Sequence, residues 1–138
     1  MANKTILVVD DELDMRIFVS TVVETMGFEA MVAEDGVEAA EKAKLIPPAL
    51  VILDVMMPKI DDGIQAYQKF KSDRRISDIP IIILSAIAKK TFFHSIRMLS
   101  SLKGSQLPEP HAYMEKPPDA GDLGHLIRRL LRTDKKFI

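Results

Sequence analysis

The chain of 138 residues has no cysteine, which removes disulfides, thiolate metal sites and cysteine nucleophiles together and fits a reducing cytoplasm. It also lacks any apolar run near the ~18 residues of a membrane span, and Met1 to Thr5 is too short and polar for a secretory signal. A cytoplasmic protein with no membrane partner is the expectation. Neither charge sign is in surplus: a net charge of −1 gives no electrostatic reason to expect direct binding to nucleic acid. No GxxxxGK[ST] loop occurs, so nucleotide hydrolysis is unsupported, and His94, His111 and His125 do not fall at a metal-site spacing. What the chain does have is ordinary globular material, 47% hydrophobic and 28% charged, in a length that suits a single core.

The organising stretch is Ala49 to Pro58, ALVILDVMMP. Five apolar residues in a row read as a strand covered on both faces, and Asp54 stands where that strand ends. Thr5 to Val9 is a second such run, closed by Asp10, Asp11 and Glu12. From Met15, apolar residues at Phe18, Val19, Val22, Val23 and Met26 keep helical spacing, with Gly27 as terminator. Phe28 to Ala33 is a weaker strand. Asp35 with Glu38 three residues on resembles a capping box, and Val37, Ala40 and Ala43 are the expected inner face of the helix it starts, which Pro47-Pro48 ends.

Asp61-Asp62-Gly63 reads as a turn, followed by a helical stripe of Ile64, Tyr67 and Phe70. Ile81 to Leu84 is a strand ending at Ser85. A fourth helix is expected within Lys89 to Leu102, with Phe92 or Phe93, Ile96 and Leu99 inward. Gly104 to Pro110, GSQLPEP, reads as a loop; His111 to Met114 is a short strand leading to Lys116. Asp119 starts a last helix with Leu123, Leu126, Ile127 and Leu130 inward, and the basic tail after it suits a helix C-terminus. Five strands alternating with five helices predict an α/β three-layer sandwich of (βα)5 type.

Asp10, Asp11, Asp54, Ser85 and Lys116 all follow the carboxyl ends of strands and so share one rim, where open α/β sheets collect ligands. Each has a plain alternative: a strand-stop aspartate, a cap on the first helix, a strand-end hydroxyl, an exposed lysine. Two unit charges about 4 Å apart repel by roughly 4 kcal/mol at an effective dielectric near 20, so clustered carboxylates call for a cation. Mg²⁺, which takes one or two carboxylates with water and phosphate oxygens, suits the set better than Ca²⁺. Such a rim accepts a phosphoryl group, with Asp54 as in-line nucleophile, Lys116 spreading charge and Ser85 bonding a phosphoryl oxygen.

VVDDE at Val8 to Glu12, LDVMMP at Leu53 to Pro58, IIILSA at Ile81 to Ala86 and YMEKP at Tyr113 to Pro117 together resemble the signatures of the response regulator receiver domain of two-component signalling. The resemblance implies a flavodoxin-like sheet in order 2-1-3-4-5 and a single receiver domain over residues 1–138. It implies phosphorylation on Asp54, catalysis by Asp54, Lys116 and Ser85, and Mg²⁺ held by Asp10, Asp11, Asp54 and the backbone carbonyl of Met56. Ser85 and Tyr113 are its switch pair, and the bond from Lys116 to Pro117 is often cis in the family. The implied partners are a histidine kinase or histidine phosphotransfer protein upstream and a protein target on the face of helix 4, strand 5 and helix 5 downstream. Such a domain is not an enzyme beyond its own phosphoryl transfer and dephosphorylation.

The remaining length leaves no room for an effector module, so a stand-alone receiver is expected. Two departures from the family pattern stand out: the turn KIDDG after Pro58 is one residue longer than usual, and the helix 4 to strand 5 region is lengthened around 103–110. Other classes fit less well. An FMN binder needs a phosphate loop where Asp10-Asp11-Glu12 stands, and a haloacid-dehalogenase-type phosphatase needs a second aspartate where Met56 stands. The alternative within the fold is a phosphorylation-independent pseudo-receiver acting as a protein-binding module.

Overall fold

A computed structural model describes residues 4–55, 60–103, 108 and 110–133. Its elements run β1 (Thr5–Val9), α1 (Leu13–Thr25), β2 (Glu29–Ala33), α2 (Gly36–Leu45), β3 (Leu50–Leu53), α3 (Ile60–Ser72), β4 (Ile81–Ser85), α4 (Lys89–Lys103), β5 (Ala112–Glu115) and α5 (Ala120–Thr133). All strand pairs are parallel and the sheet order is β2-β1-β3-β4-β5, as the resemblance implied.

Side chains alternate across a strand, so each apolar run serves two cores. Leu7, Val9, Val51, Leu53, Ile81 and Ile83 face α2, α3 and α4. Ile6, Val8, Leu50, Ile52, Ile82 and Leu84 face α1 and α5. That double burial is why these runs are continuous and β-branched, and it makes the sheet the middle of three layers. Ile64, Tyr67 and Phe70 of α3 and Leu123 and Ile127 of α5 are buried as their spacing predicts.

Four local expectations are corrected. Phe18 is 37% exposed: Val19, Val22 and Val23 fill the α1 contact with the sheet, leaving Phe18 on the border of a groove between α1 and α5. Val37 is 57% exposed, because α2 packs so closely on α3 that alanines (Ala39, Ala40, Ala43) take the inner face; a Cβ on Gly36 would fall 2.5 Å from that of Ala66. Asp61-Asp62-Gly63 is the first part of α3 and not a turn. Gly63 is there for room: a Cβ would lie 2.0 Å from the backbone of Val55. β5 runs to Glu115, one residue past the expected end, which makes Lys116 the first residue beyond the strand.

Gly27 ends α1 with φ +92, the left-handed conformation expected of a helix terminator. Asp35 accepts the N–H of Glu38 at 2.8 Å, while the Glu38 carboxylate reaches back to the N–H of Glu34, one residue before the cap. Among the described residues no helix is long and apolar enough to cross a membrane. The loop read in 104–107 and 109, the inward side chain of Leu99, the Met56 carbonyl, most of the turn after Asp54 and the basic tail from 134 lie outside the described residues or side chains.

Candidate functional site

The register of the sheet builds the site. Val9 pairs with Leu53, so the next residue of each strand, Asp10 and Asp54, emerges side by side at the carboxyl rim. The Asp54 N–H bonds the Val9 carbonyl at 2.9 Å and the Asp10 N–H bonds that of Ala33 at 3.1 Å, so both aspartates leave the sheet from fixed backbone. Across the rim, Ser85 pairs with Glu115, and the Lys116 N–H bonds the Ser85 carbonyl at 2.8 Å. The bond from Lys116 to Pro117 is cis.

Asp10 and Asp54 are each 2% exposed and Ser85 is fully buried, an unusual depth for charged groups. Lys116 makes this tenable. Its Nζ lies 2.9 Å from Asp10 Oδ2, 3.3 Å from Asp54 Oδ2 and 3.3 Å from Glu12 Oε1. Burial pushes the ammonium toward losing its proton, but the hydrogen bond to Asp10 and the charges of Asp54 and Asp10 outweigh it and hold its pKa above the usual lysine value. Asp10 spends its second oxygen on the Glu12 N–H at 2.9 Å, and its carbonyl accepts from Arg16 at 2.7 Å.

Oxygens of Asp10, Glu12 and Asp54 fall within 4.8 Å of one another. A compact set of carboxylate oxygens is the hard donor chemistry that Mg²⁺ takes, so the residues present fit the ion. Glu12 was not among the expected ligands. Its signal was positional, as the third member of the acidic run after β1, but a sequence does not tell that its exposed side chain reaches back to Lys116. Asp11 is exposed and stands outside the 4.8 Å group. It does not cap α1 either: the cap position is Glu12, whose side chain makes no capping bond.

Ser85 and Tyr113 form the other half of the rim. The Ser85 hydroxyl accepts a long bond, 3.4 Å, from the Ile87 N–H, and the Tyr113 hydroxyl donates to the Ile87 carbonyl at 2.6 Å. Burial first, then the charge of Glu115, pushes the Tyr113 phenol up to about 12; contact with the Ser85 hydroxyl works the other way. The ring packs on Phe92 at 5.3 Å and Phe93 at 6.2 Å, tying the rim to α4.

Comparison with known proteins agrees with this geometry. Residues 6–100 match the response regulator receiver domain. The probable transcriptional regulator ycf27 of Cyanophora paradoxa is 39% identical over 130 residues, 94% of this chain and 49% of that protein. The chain spans about half the length of the curated relatives it matches. A CheY-like receiver domain protein from Methanospirillum hungatei JF-1 superposes with a TM-score of 0.78 at 23% identity, covering 99% of this chain and 100% of that one. The receiver domain of the sensor histidine kinase PA1611 from Pseudomonas aeruginosa PAO1, which holds a magnesium ion in its active site cleft, superposes at 0.74 with 21% identity, covering 95% and 99%. At those identities the two structures carry the fold, and the sequence match carries the family: this chain belongs to the response regulator receiver domain family.

Proposed function

We propose that this domain takes a phosphoryl group on Asp54 from a histidine kinase or histidine phosphotransfer protein in the cytoplasm, and answers by reshaping the protein-binding face of α4, β5 and α5. The observation that carries the reading is the double contact of one ammonium: Lys116 within 3.3 Å of both buried aspartates at the carboxyl edge of the sheet. A buried cation shared by two carboxylates stands ready to follow negative charge onto an incoming phosphoryl group.

In the proposed step an Asp54 oxygen attacks phosphorus in line with the phosphorus–nitrogen bond of a phosphohistidine. The phosphorus–oxygen bond forms as that bond breaks, and the imidazole nitrogen leaves with the electron pair. Lys116 moves its hydrogen bonds from carboxylate to phosphoryl oxygen. Receiver domains bind Mg²⁺ at an acidic site, and here Asp10 and Asp54 would hold it with Glu12 beside them, Asp11 on the exposed side of the rim and the Met56 carbonyl completing the proposed set. When bound, the ion neutralises the carboxylates and draws charge from the transferring oxygens.

The acyl phosphate brings a charge near −2. Ser85, buried beside it, then bonds a phosphoryl oxygen and gives up its share in the Ile87 and Tyr113 contacts, and Tyr113 follows. The result is a shift between two pre-existing arrangements of the rim and α4. The lengthened region around 103–110 is proposed to tune the output face, so deleting Ser105 to Glu109 should alter partner binding or dimerisation while Asp54 phosphorylation persists.

Intact mass measurement after incubation with acetyl phosphate and Mg²⁺ tests the reading. The wild type should gain one phosphoryl group and Asp54→Asn none. A wild-type chain that stays unmodified with every donor would leave a phosphorylation-independent binding module in its place.

A further inference from the structure

β2 is an outer strand of the sheet, paired with β1 on one side. In a parallel ladder, alternate residues turn their backbone groups toward the neighbour and away from it. The Glu29 N–H bonds the Lys4 carbonyl and the Ala33 carbonyl accepts from the Asp10 N–H, so the odd-numbered residues of β2 serve β1. Ala30, Val32 and Glu34 therefore turn theirs outward. Such a row is a template on which another strand can pair.

Two of the outward groups are taken, both by side chains of α2. Lys42 Nζ donates to the Val32 carbonyl at 2.6 Å, and the Glu38 carboxylate accepts from the Glu34 N–H at 2.8 Å. The same two side chains meet each other at 3.2 Å as an i, i+4 pair. An exposed pair of this kind contributes little by itself. Here it closes part of an open edge, and a lysine laid over an outer strand is a recurring defence against edge-to-edge pairing. The edge has reason to need one. β2 reads EAMVA, without lysine, proline or glycine. Val32 is 39% exposed and borders a groove of about 350 Å³ beside α1, walled by Leu13 and Ile17, each more than half exposed.

We propose that β2 is a latent joining edge for a second copy of this chain, and that the Glu38–Lys42 pair keeps it shut. Antiparallel pairing centred on Val32 sets Val32 against Val32 and Ala30 against Glu34, with no like-charged residues opposed within that span. This register uses the Val32 carbonyl and the Glu34 N–H, the two groups that the pair occupies. Pairing and guarding are thus mutually exclusive. Ala30 and Val32 share the α1 side of the strand, so the joint would also set the Val32 side chain of each copy beside the apolar groove of the other. That self-match in register and apolar wall favours a second copy over an unrelated strand.

The test is sedimentation velocity on the full chain over a range of concentrations, with the wild type beside the double variant Glu38→Ala with Lys42→Ala. Opening the edge should strengthen self-association by at least about tenfold, since backbone groups released from side chains gain backbone partners. Adding Val32→Pro should return the double variant to wild-type behaviour, because proline removes the outward N–H at the centre of the joint and leaves the ladder with β1 in place. Amide hydrogen exchange at Ala30 and Val32 should slow in the associated form. Lys42→Met alone removes the ammonium while sparing the helix, and should shift association the same way if the double variant fails to fold. Association unchanged in both variants, association indifferent to Val32→Pro, or a wild type that already associates through Val32 overturns the proposal. Asp54→Asn should alter none of these results, which keeps this outcome separate from that of the phosphorylation reading.

Discussion

The two layers that cover the sheet are built from different material. The α2, α3 and α4 side buries Tyr67, Phe70 and Phe92, with Phe93 and Tyr113 packed against them. The α1 and α5 side is sealed by Val19, Val22, Val23, Leu123, Ile127 and Leu131. The aromatic side is also continuous: Tyr67 meets Phe92 edge to face at 6.1 Å, and Phe92 meets Tyr113 at 5.3 Å. Close-packed interiors transmit strain, and here the aromatic contacts run unbroken from Tyr67 through Phe92 to Tyr113. The proposed change at Ser85 and Tyr113 therefore has a packed aromatic route to α4 on this side of the sheet.

A glycine in each layer gives the sharpest contrast. A Cβ on Gly63 would lie 2.0 Å from the Val55 backbone, directly after Asp54, and an overlap with backbone atoms cannot be relieved by moving a side chain. Gly63→Ala should destabilise by more than about 3 kcal/mol or prevent folding. On the other side a Cβ at Gly124 meets only Met26 Sδ at 3.6 Å, an ordinary contact. Gly124→Ala should gain about 0.5–1 kcal/mol from helix propensity. Urea unfolding of both variants measures this, and comparable losses at the two positions would erase the contrast in packing.

Truncating one large residue per layer separates stability from transmission. Phe92→Ala should cost about 3–5 kcal/mol and Ile127→Ala about 2–5 kcal/mol, ranges that overlap. Only the first should release Tyr113, because Phe92 packs on its ring while Ile127 belongs to the cluster on the other face of the sheet. The phenol, now at about 12 with burial as its main cause, should then titrate nearer its ordinary value of about 10, as followed by tyrosinate absorbance. A lowered titration in Ile127→Ala as well would mean that both layers hold the Tyr113 ring.

The same phenol gives a pH dependence. Its folded pKa lies above the unfolded one, so the folded state favours the protonated form. The associated stability is fully present below about pH 10 and is lost as the pH rises toward 12. Tyr113→Phe should remove that part of the alkaline loss in a denaturation series run from pH 9 to 12, and an identical alkaline profile in the variant would place the effect elsewhere.

These contrasts also mark how far the sequence could be read. β1 was legible to the residue, Thr5–Val9, because a strand covered on both faces must be a continuous apolar run with polar residues at its end. The rim followed from the same logic, since Asp10, Asp54, Ser85 and Lys116 each sit at a strand end. Helix rotation was less legible. Small residues carry the inner face of α2 because α3 presses against it, and that closeness is a tertiary fact, which left Val37 misplaced. Gly63 looked like turn chemistry because a glycine required for space and one required for a bend are the same letter. Glu12 was passed over for a related reason: whether it joins Asp10 at Lys116 depends on where Lys116 is, about a hundred residues along the chain.

The smallest predicted effect compares the starts of α1 and α2, one helix from each layer. Asp35 caps α2 by accepting the Glu38 N–H at 2.8 Å, and Glu38, its carboxyl held below the usual range by the Glu34 N–H and by Lys42, closes the motif. Asp35→Ala should therefore cost about 1 kcal/mol, as the loss of a side-chain cap does elsewhere. Glu12 occupies the matching position on α1 but caps nothing, since its carboxylate lies 3.3 Å from Lys116. Glu12→Ala should change stability by less than Asp35→Ala, because an exposed ion pair contributes roughly 0–1 kcal/mol, while altering Mg²⁺ affinity at the rim. Thermal unfolding of the two variants, with and without Mg²⁺, distinguishes them: if Glu12→Ala loses as much as Asp35→Ala and its unfolding responds to Mg²⁺ as the wild type does, then Glu12 serves α1 and not the acidic rim.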